Sequence, residues 1–148
     1  MKRTTPLAIA VLSLGGILSA SLGAQSLPSI QANIPFEFTL RGVAMPAGEY
    51  TVSGPLSPSG SLIQVKHAGG SHESVFIQAI PGSNSARNNT PTLTFHRYGN
   101  QCFLAKISSG DGNPVRELNT SAAEREAMKI ASSHPVETVT LMARLAAH

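Results

Sequence analysis

The sequence predicts an all-β domain with one short helix, built as a small antiparallel β-sandwich or a partly closed β-barrel of about seven strands. Three observations carry that prediction. Apolar residues recur at period two over short runs rather than at period 3.6. Clusters of Gly, Pro, Asn and Ser interrupt those runs at intervals of roughly eight to twelve residues. Only residues 121 to 131 combine helix-forming composition with a capping signal.

The first run is "NIPFEFTL", where Ile34, Phe36, Phe38 and Leu40 fall on one face of an extended chain and Glu37 and Thr39 on the other. Pro35 has no N–H to give, so one edge of this strand is expected to be open there. "MPAGEYTV" follows. Pro46 fixes its own φ and disfavours helix at Met45, Gly48 tolerates positive φ, and Tyr50 and Val52 resume the alternation. This is a connector between two strands, and its one carboxylate, Glu49, has no catalytic partner nearby in the chain.

Residues 53 to 61 read as a loop, Leu62 to His67 as a strand, Ala68 to Ser71 as a Gly-Gly connection and Glu73 to Ile80 as the returning strand of a hairpin. Residues 81 to 91, with no apolar side chain larger than Ala86, read as a surface loop. "TLTFHRYGNQCFLAKIS" is the strongest hairpin, turning at Gly99-Asn100. Leu93, Phe95 and Arg97 share a face, met by Phe103, Ala105 and Ile107 from the returning strand. Turn residues at 110 to 114 end the run. In the helix, Ser121 and Glu124 form a capping box, and Ala123, Ala127, Ile130 and Ala131 make the stripe expected to pack on the sheet. A last strand at 137 to 145 places Val139, Leu141 and Ala143 on one face.

The first 24 residues have the layout of a cleaved secretory signal: Lys2 and Arg3, an apolar run from Leu7 to Leu18 shorter than the ~20 residues of a membrane span, then small residues up to Ala24. The expected mature chain is a single β-rich domain, residues 25 to 148, secreted or periplasmic, with no membrane span. Without Lys2 and Arg3 it carries nine basic and eight acidic side chains. That near-neutrality argues against nucleic acid as a partner, because such binding draws on clustered Lys and Arg. Cys102 is the lone cysteine, so no intrachain disulfide forms, and its apolar surroundings in "QCFLAKI" mark it as a small buried hydrophobe.

No nucleophile-elbow, zinc-protease or phosphate-loop motif is present. Asp111 sits in a Gly-Asp-Gly turn. His67 and His72 flank a short connection, and His96 is a third imidazole; together they are the weak candidates for a metal set, against the simpler reading as solvated loop-edge residues. Arg97 and Tyr98 beside Gly99 form an aromatic-basic pair too isolated to make a stacking platform, and Arg97 reads as a strand-end charge reaching solvent. No cofactor, catalytic residue or firm metal ligand is expected.

The succession "IPFEF", "MPAGEYTV", "FHRYGNQCFL", then "REL" leading to "AEREAMK" and "ETVTL" resembles a family of small secreted bacterial proteins without an assigned activity, over Ile34 to about Leu141. The resemblance implies export and a compact β-rich domain; it transfers no site. The function expected from the sequence is an exported, non-enzymatic β-module that is structural or binds a partner through exposed strand edges and loops. The alternative is a small carrier holding an apolar ligand in a lipocalin-like interior.

Overall fold

The computed structural model describes residues 29–54, 61–70, 74–82, 89–110, 112 and 114–146. Residues 1 to 24, expected to be a signal, most of the loops at 53 to 61 and 81 to 91, His72 and Asp111 lie outside the described residues.

Eleven strands and one helix follow in chain order: β1 (Ser29–Ile34), β2 (Phe38–Leu40), β3 (Val43–Met45), β4 (Gly48–Ser53), β5 (Leu62–His67), β6 (Ser74–Pro81), β7 (Thr92–Tyr98), β8 (Gln101–Ser108), β9 (Arg116–Leu118), α1 (Ala122–Ile130), β10 (Glu137–Met142) and β11 (Arg144–Leu145). The hydrogen-bonded order is β10-β7-β8-β9-β6-β5-β4-β1-β11. β10 and β11 are the two halves of one C-terminal strand, so the path returns to where it began and the sheet closes into a barrel. The all-β expectation with one helix before a C-terminal strand holds, and of the two predicted architectures the topology is that of the partly closed barrel.

The strand count exceeds the expected seven for a physical reason. The predicted strand from Asn33 to Leu40 breaks at Pro35, where the ladder loses a donor. β2 then turns back on β3 through Arg41 and Gly42, both at positive φ (52° and 84°), which is the two-residue hairpin geometry that matches strand twist. One pair is parallel: Thr39 of β2 lies beside Phe103 of β8. The sheet is therefore mixed rather than wholly antiparallel.

The short connector through Pro46 and Ala47 joins β3 to β4. The Tyr50 hydroxyl donates to the Pro46 carbonyl at 2.6 Å, and a Cβ on Gly48 would collide with the His67 ring, so only glycine fits there. Glu49 has a structural partner, Arg144, on the outer surface where β11 meets β1.

Inside the wall, alternate residues of β1, β4, β5, β6, β7 and β8 point inward, among them Ile34, Val65, Ile77 and Leu93, all 0–1% exposed. β2 adds Phe38 and Leu40. Phe38 meets Tyr50 and Phe95 edge to face at centroid distances of 5.2 and 5.4 Å, and Phe36 meets Phe95 at 5.2 Å. Edge-to-face contacts of this kind add about 0.5–1.5 kcal/mol each beyond burial.

The β7–β8 hairpin is where the predicted facing fails. The register shifts between Thr94 and Phe95, so Thr94 opposes Lys106 while Phe95 opposes Leu104, leaving Ala105 as the extra residue of a bulge. As a result Cys102 and Leu104 face the interior with Phe95, and Phe103, expected there, packs outside with Tyr98. A bulge changes parity, and parity decides the face.

Phe38→Ala is expected to destabilise the fold by about 3–5 kcal/mol, the usual range for a buried phenylalanine. Ile130→Ala, at a side chain 77% exposed, should change stability by no more than about 0.5 kcal/mol. Denaturant unfolding of the two variants checks the contrast; similar losses would show that the aromatic contacts do not hold the interior.

Candidate functional site

α1 lies on the outer face of β7 and β8. Its start is set by Ser121, whose Oγ accepts from the Glu124 N–H at 3.1 Å. That half of the predicted capping box forms. The Glu124 side chain turns inward instead, is 5% exposed, and accepts from His96 Nδ1 at 2.9 Å and from the Tyr98 hydroxyl at 3.3 Å. A carboxylate only accepts, so both partners donate to one oxygen, Oε1.

The buried stripe of the helix is accordingly Glu124 and Ala127, with Ala131 partly buried against Tyr98 and Phe103. Ala123 and Ile130, assigned to that stripe from the sequence, are exposed. The helix is rotated because a paired carboxylate, not an alanine, is its deepest contact.

A histidine held by a buried carboxylate resembles part of a general-base arrangement, which also requires a nucleophile or bound water in reach of the second ring nitrogen. The hollow beside His96, of about 170 Å³, is bordered by Lys106, Glu117 and Thr120. Its two charges are spent on each other, Lys106 Nζ lying 3.0 Å from Glu117 Oε1. The geometry is that of a latch holding helix to sheet.

At the other end of α1 is the largest concavity described. A groove of about 770 Å³ runs between the β7–β8 turn and the segment that follows the helix. Ala127, Ile130, Ala131 and Pro135 give it an apolar side, and Arg97 and His134 stand at its edge. Ile130 is exposed here. This is a surface groove outside the barrel.

The three histidines proposed for a metal do not converge. His67 lies over Tyr50, ring centroids 4.8 Å apart, against Gly48 and Gly70. His96 is held by Glu124, and His72 lies outside the described residues. Among the described residues no group of three His, Cys, Asp or Glu could hold a metal ion.

Arg97 reaches solvent as expected, its side chain 41% exposed, but not with all of its guanidinium. Its Nε is buried without a hydrogen-bond partner, and its Nη1 is 3.9 Å from Glu137 Oε2. The cause is its inward parity on β7 beside Cys102 and β10. Cys102 is 3% exposed and burial, above all, pushes its thiol pKa up, which keeps it unreactive. Tyr98, singled out as a turn aromatic, is buried under the helix. The role of Glu124 was missed; its sole sequence signal, the position three after Ser121, pointed to the cap rather than to the sheet.

Comparison of the chain with protein-family models, with curated protein sequences and with solved structures finds no match.

Both tyrosines of the chain are held above the ordinary phenol pKa: Tyr50 by burial, and Tyr98 by burial first, then by the charge and hydrogen bond of Glu124. A folded-state pKa above the unfolded value gives stability that is complete below pH ~10 and is lost as pH rises through the folded value. An ultraviolet titration should therefore show no phenolate step at pH ~10, with ionisation appearing only above it. Glu124→Ala should lower the Tyr98 step and cost about 1–3 kcal/mol, since it strips two donors of their acceptor. A Tyr98 step unmoved by Glu124→Ala would contradict the latch.

Proposed function

We propose that the protein is an exported, non-enzymatic β-barrel module that binds a partner on its outer surface. The observation that carries this reading is the placement of its side chains. Phe38, Tyr50 and Phe95, each 0–1% exposed, meet ring to ring in the core, with partly buried Phe36 packed against Phe95, whereas the apolar groove opens outside, between the β7–β8 turn and the end of α1. Its volume falls within the ~300–1,000 Å³ of many ligand sites. Export is supported by the Lys-Arg, apolar and small-residue order of the first 24 residues.

The second reading, a carrier with an apolar ligand inside the barrel, needs an enclosed space of about 300 Å³ or more. The aromatic cluster speaks against it. The non-enzymatic reading draws on the latch: His96 and Glu124, the best-placed acid–base pair, are engaged in holding the helix.

The test is position-specific photocrosslinking in the envelope of the native host. A photoreactive residue at Gln101, on the groove, should capture a partner that the same residue at Lys66, on β5, does not. Ile130→Asp should abolish the capture, and the captured chain should have the mass of one lacking residues 1 to 24. Equal capture from both positions, or an apolar molecule co-purifying with the barrel and released by Phe38→Ala, would contradict the proposal.

A further inference from the structure

The barrel wall is incomplete at one place. β10 and β11 continue one another, yet only their last residues pair with β1, at Gln31↔Arg144 and Ile30↔Leu145. Two backbone hydrogen bonds fix which groups point where: Ala143 N–H donates to Pro91 O at 2.8 Å, and Ala146 N–H donates to Ser29 O at 2.9 Å. In an antiparallel ladder successive residues turn their N–H and C=O to opposite sides. Val139 and Leu141 therefore bond towards β7, while Thr138, Thr140 and Met142 point to the β1 side, where Asn33 points back at them.

No ladder pair joins these groups among the described residues. The reason lies in the chain. β1 ends at Ile34, Pro35 has no N–H, and the backbone leaves the wall so that Phe36 can reach Phe95. That leaves a lane beside Thr138 and Thr140, where β10 has no ladder partner on the β1 side among the described residues.

We infer that this lane accepts an extended segment of a partner polypeptide, added as a strand along β10 in the place β1 vacates. The inference rests on the partner-binding reading above and gives it a second surface with a definite kind of occupant. With Met142 faced by Asn33, the outward donors and acceptors of Thr138 and Thr140, two residues apart, are left, and they are matched by another extended backbone and by little else. Symmetric pairing with β10 of a second copy does not fit. Past Met142 the lane is taken by β1, and the second copy's strand would run on into it from Thr138 to Glu137.

The occupant is a chain end or tight loop of about five residues, the length that the free edge can pair. Both ends of the edge are already neutralised, Glu137 by Arg97 and Arg144 by Glu49, so the segment is uncharged. Partly buried Val139 and Leu141 set an apolar inner side, and exposed Thr138 and Thr140 a polar outer one. Alternating β-branched apolar and hydroxyl residues satisfy both.

Amide hydrogen exchange by NMR, with and without a capped hexapeptide of alternating valine and threonine, tests the assignment. In the free protein the Thr138 and Thr140 amides should exchange fast and those of Val139 and Leu141 slowly; the peptide should protect the first pair. Thr140→Pro removes a seam-facing donor without touching the β7 ladder. It should keep the melting temperature and bind the peptide at least tenfold more weakly, whereas Thr140→Ala, which retains the N–H, should bind as the unaltered chain does. The inference is overturned if the Thr138 and Thr140 amides are already protected in the free protein. It is equally overturned if the peptide leaves them unprotected at about 1 mM, the weak end of measurable affinity, or if Thr140→Pro binds undiminished. Should Thr140→Pro fail to fold, the exchange pattern of the unaltered chain decides alone. Groove-dependent capture that persists in Thr140→Pro leaves the module reading standing and, with no peptide protection, removes only the lane.

Discussion

The fold turns on the departure of the chain from the barrel wall at Pro35. A residue that cannot donate ends β1, and the next turn of chain carries Phe36 and Phe38 to the rings of Phe95 and Tyr50. A barrel of short strands encloses space that must be filled, since a void forfeits dispersion contacts on every lining atom. Here the filling comes from a hairpin, β2–β3, that hangs on β8 through a parallel pair and delivers Phe38, Leu40 and Met45 to the core. The same departure leaves the first part of β10 paired with β7 alone, so the packed aromatic cluster and the unpaired lane have one cause.

Much of this was legible in the sequence because period two is a strong signal where strands are half-buried. β4, β5, β6 and β10 fall where alternation and turn residues place them, and Val139, Leu141 and Ala143 share the inner side of the C-terminal strand as expected. What was not legible depends on single-residue parity and on partners distant in sequence. The bulge at Ala105 moves Phe103 from core to helix interface, and nothing local in "QCFLAKI" announces it. Likewise Glu124 reads as a capping residue until β7 is placed under the helix, when His96 and Tyr98 offer it two donors that a solvated carboxylate would not need.

Four of the segments singled out in the sequence resolve into packing roles. The phenylalanines of "IPFEF" and the tyrosine of "MPAGEYTV" meet in the core; the histidine and tyrosine of "FHRYG" meet the first glutamate of "AEREAMK" at the latch. These segments, distant along the chain, are thus tied together by contacts between them. The groove at the end of α1 and the lane beside β10 flank the C-terminal strand where it enters the wall. Both depend on that strand being held by β7 at one end and by Arg144 with Glu49 and Gln31 at the other.

The claim on which the rest stands is that aromatic rings fill the barrel, and dissolved xenon reports on it directly because xenon enters apolar cavities that stay free of water. Methyl NMR spectra recorded under xenon pressure should show only small, uniform, non-saturating shifts at the interior methyls of Ile34, Val65, Ile77 and Leu93. Saturable shifts confined to those methyls would reveal a hollow interior and contradict the account.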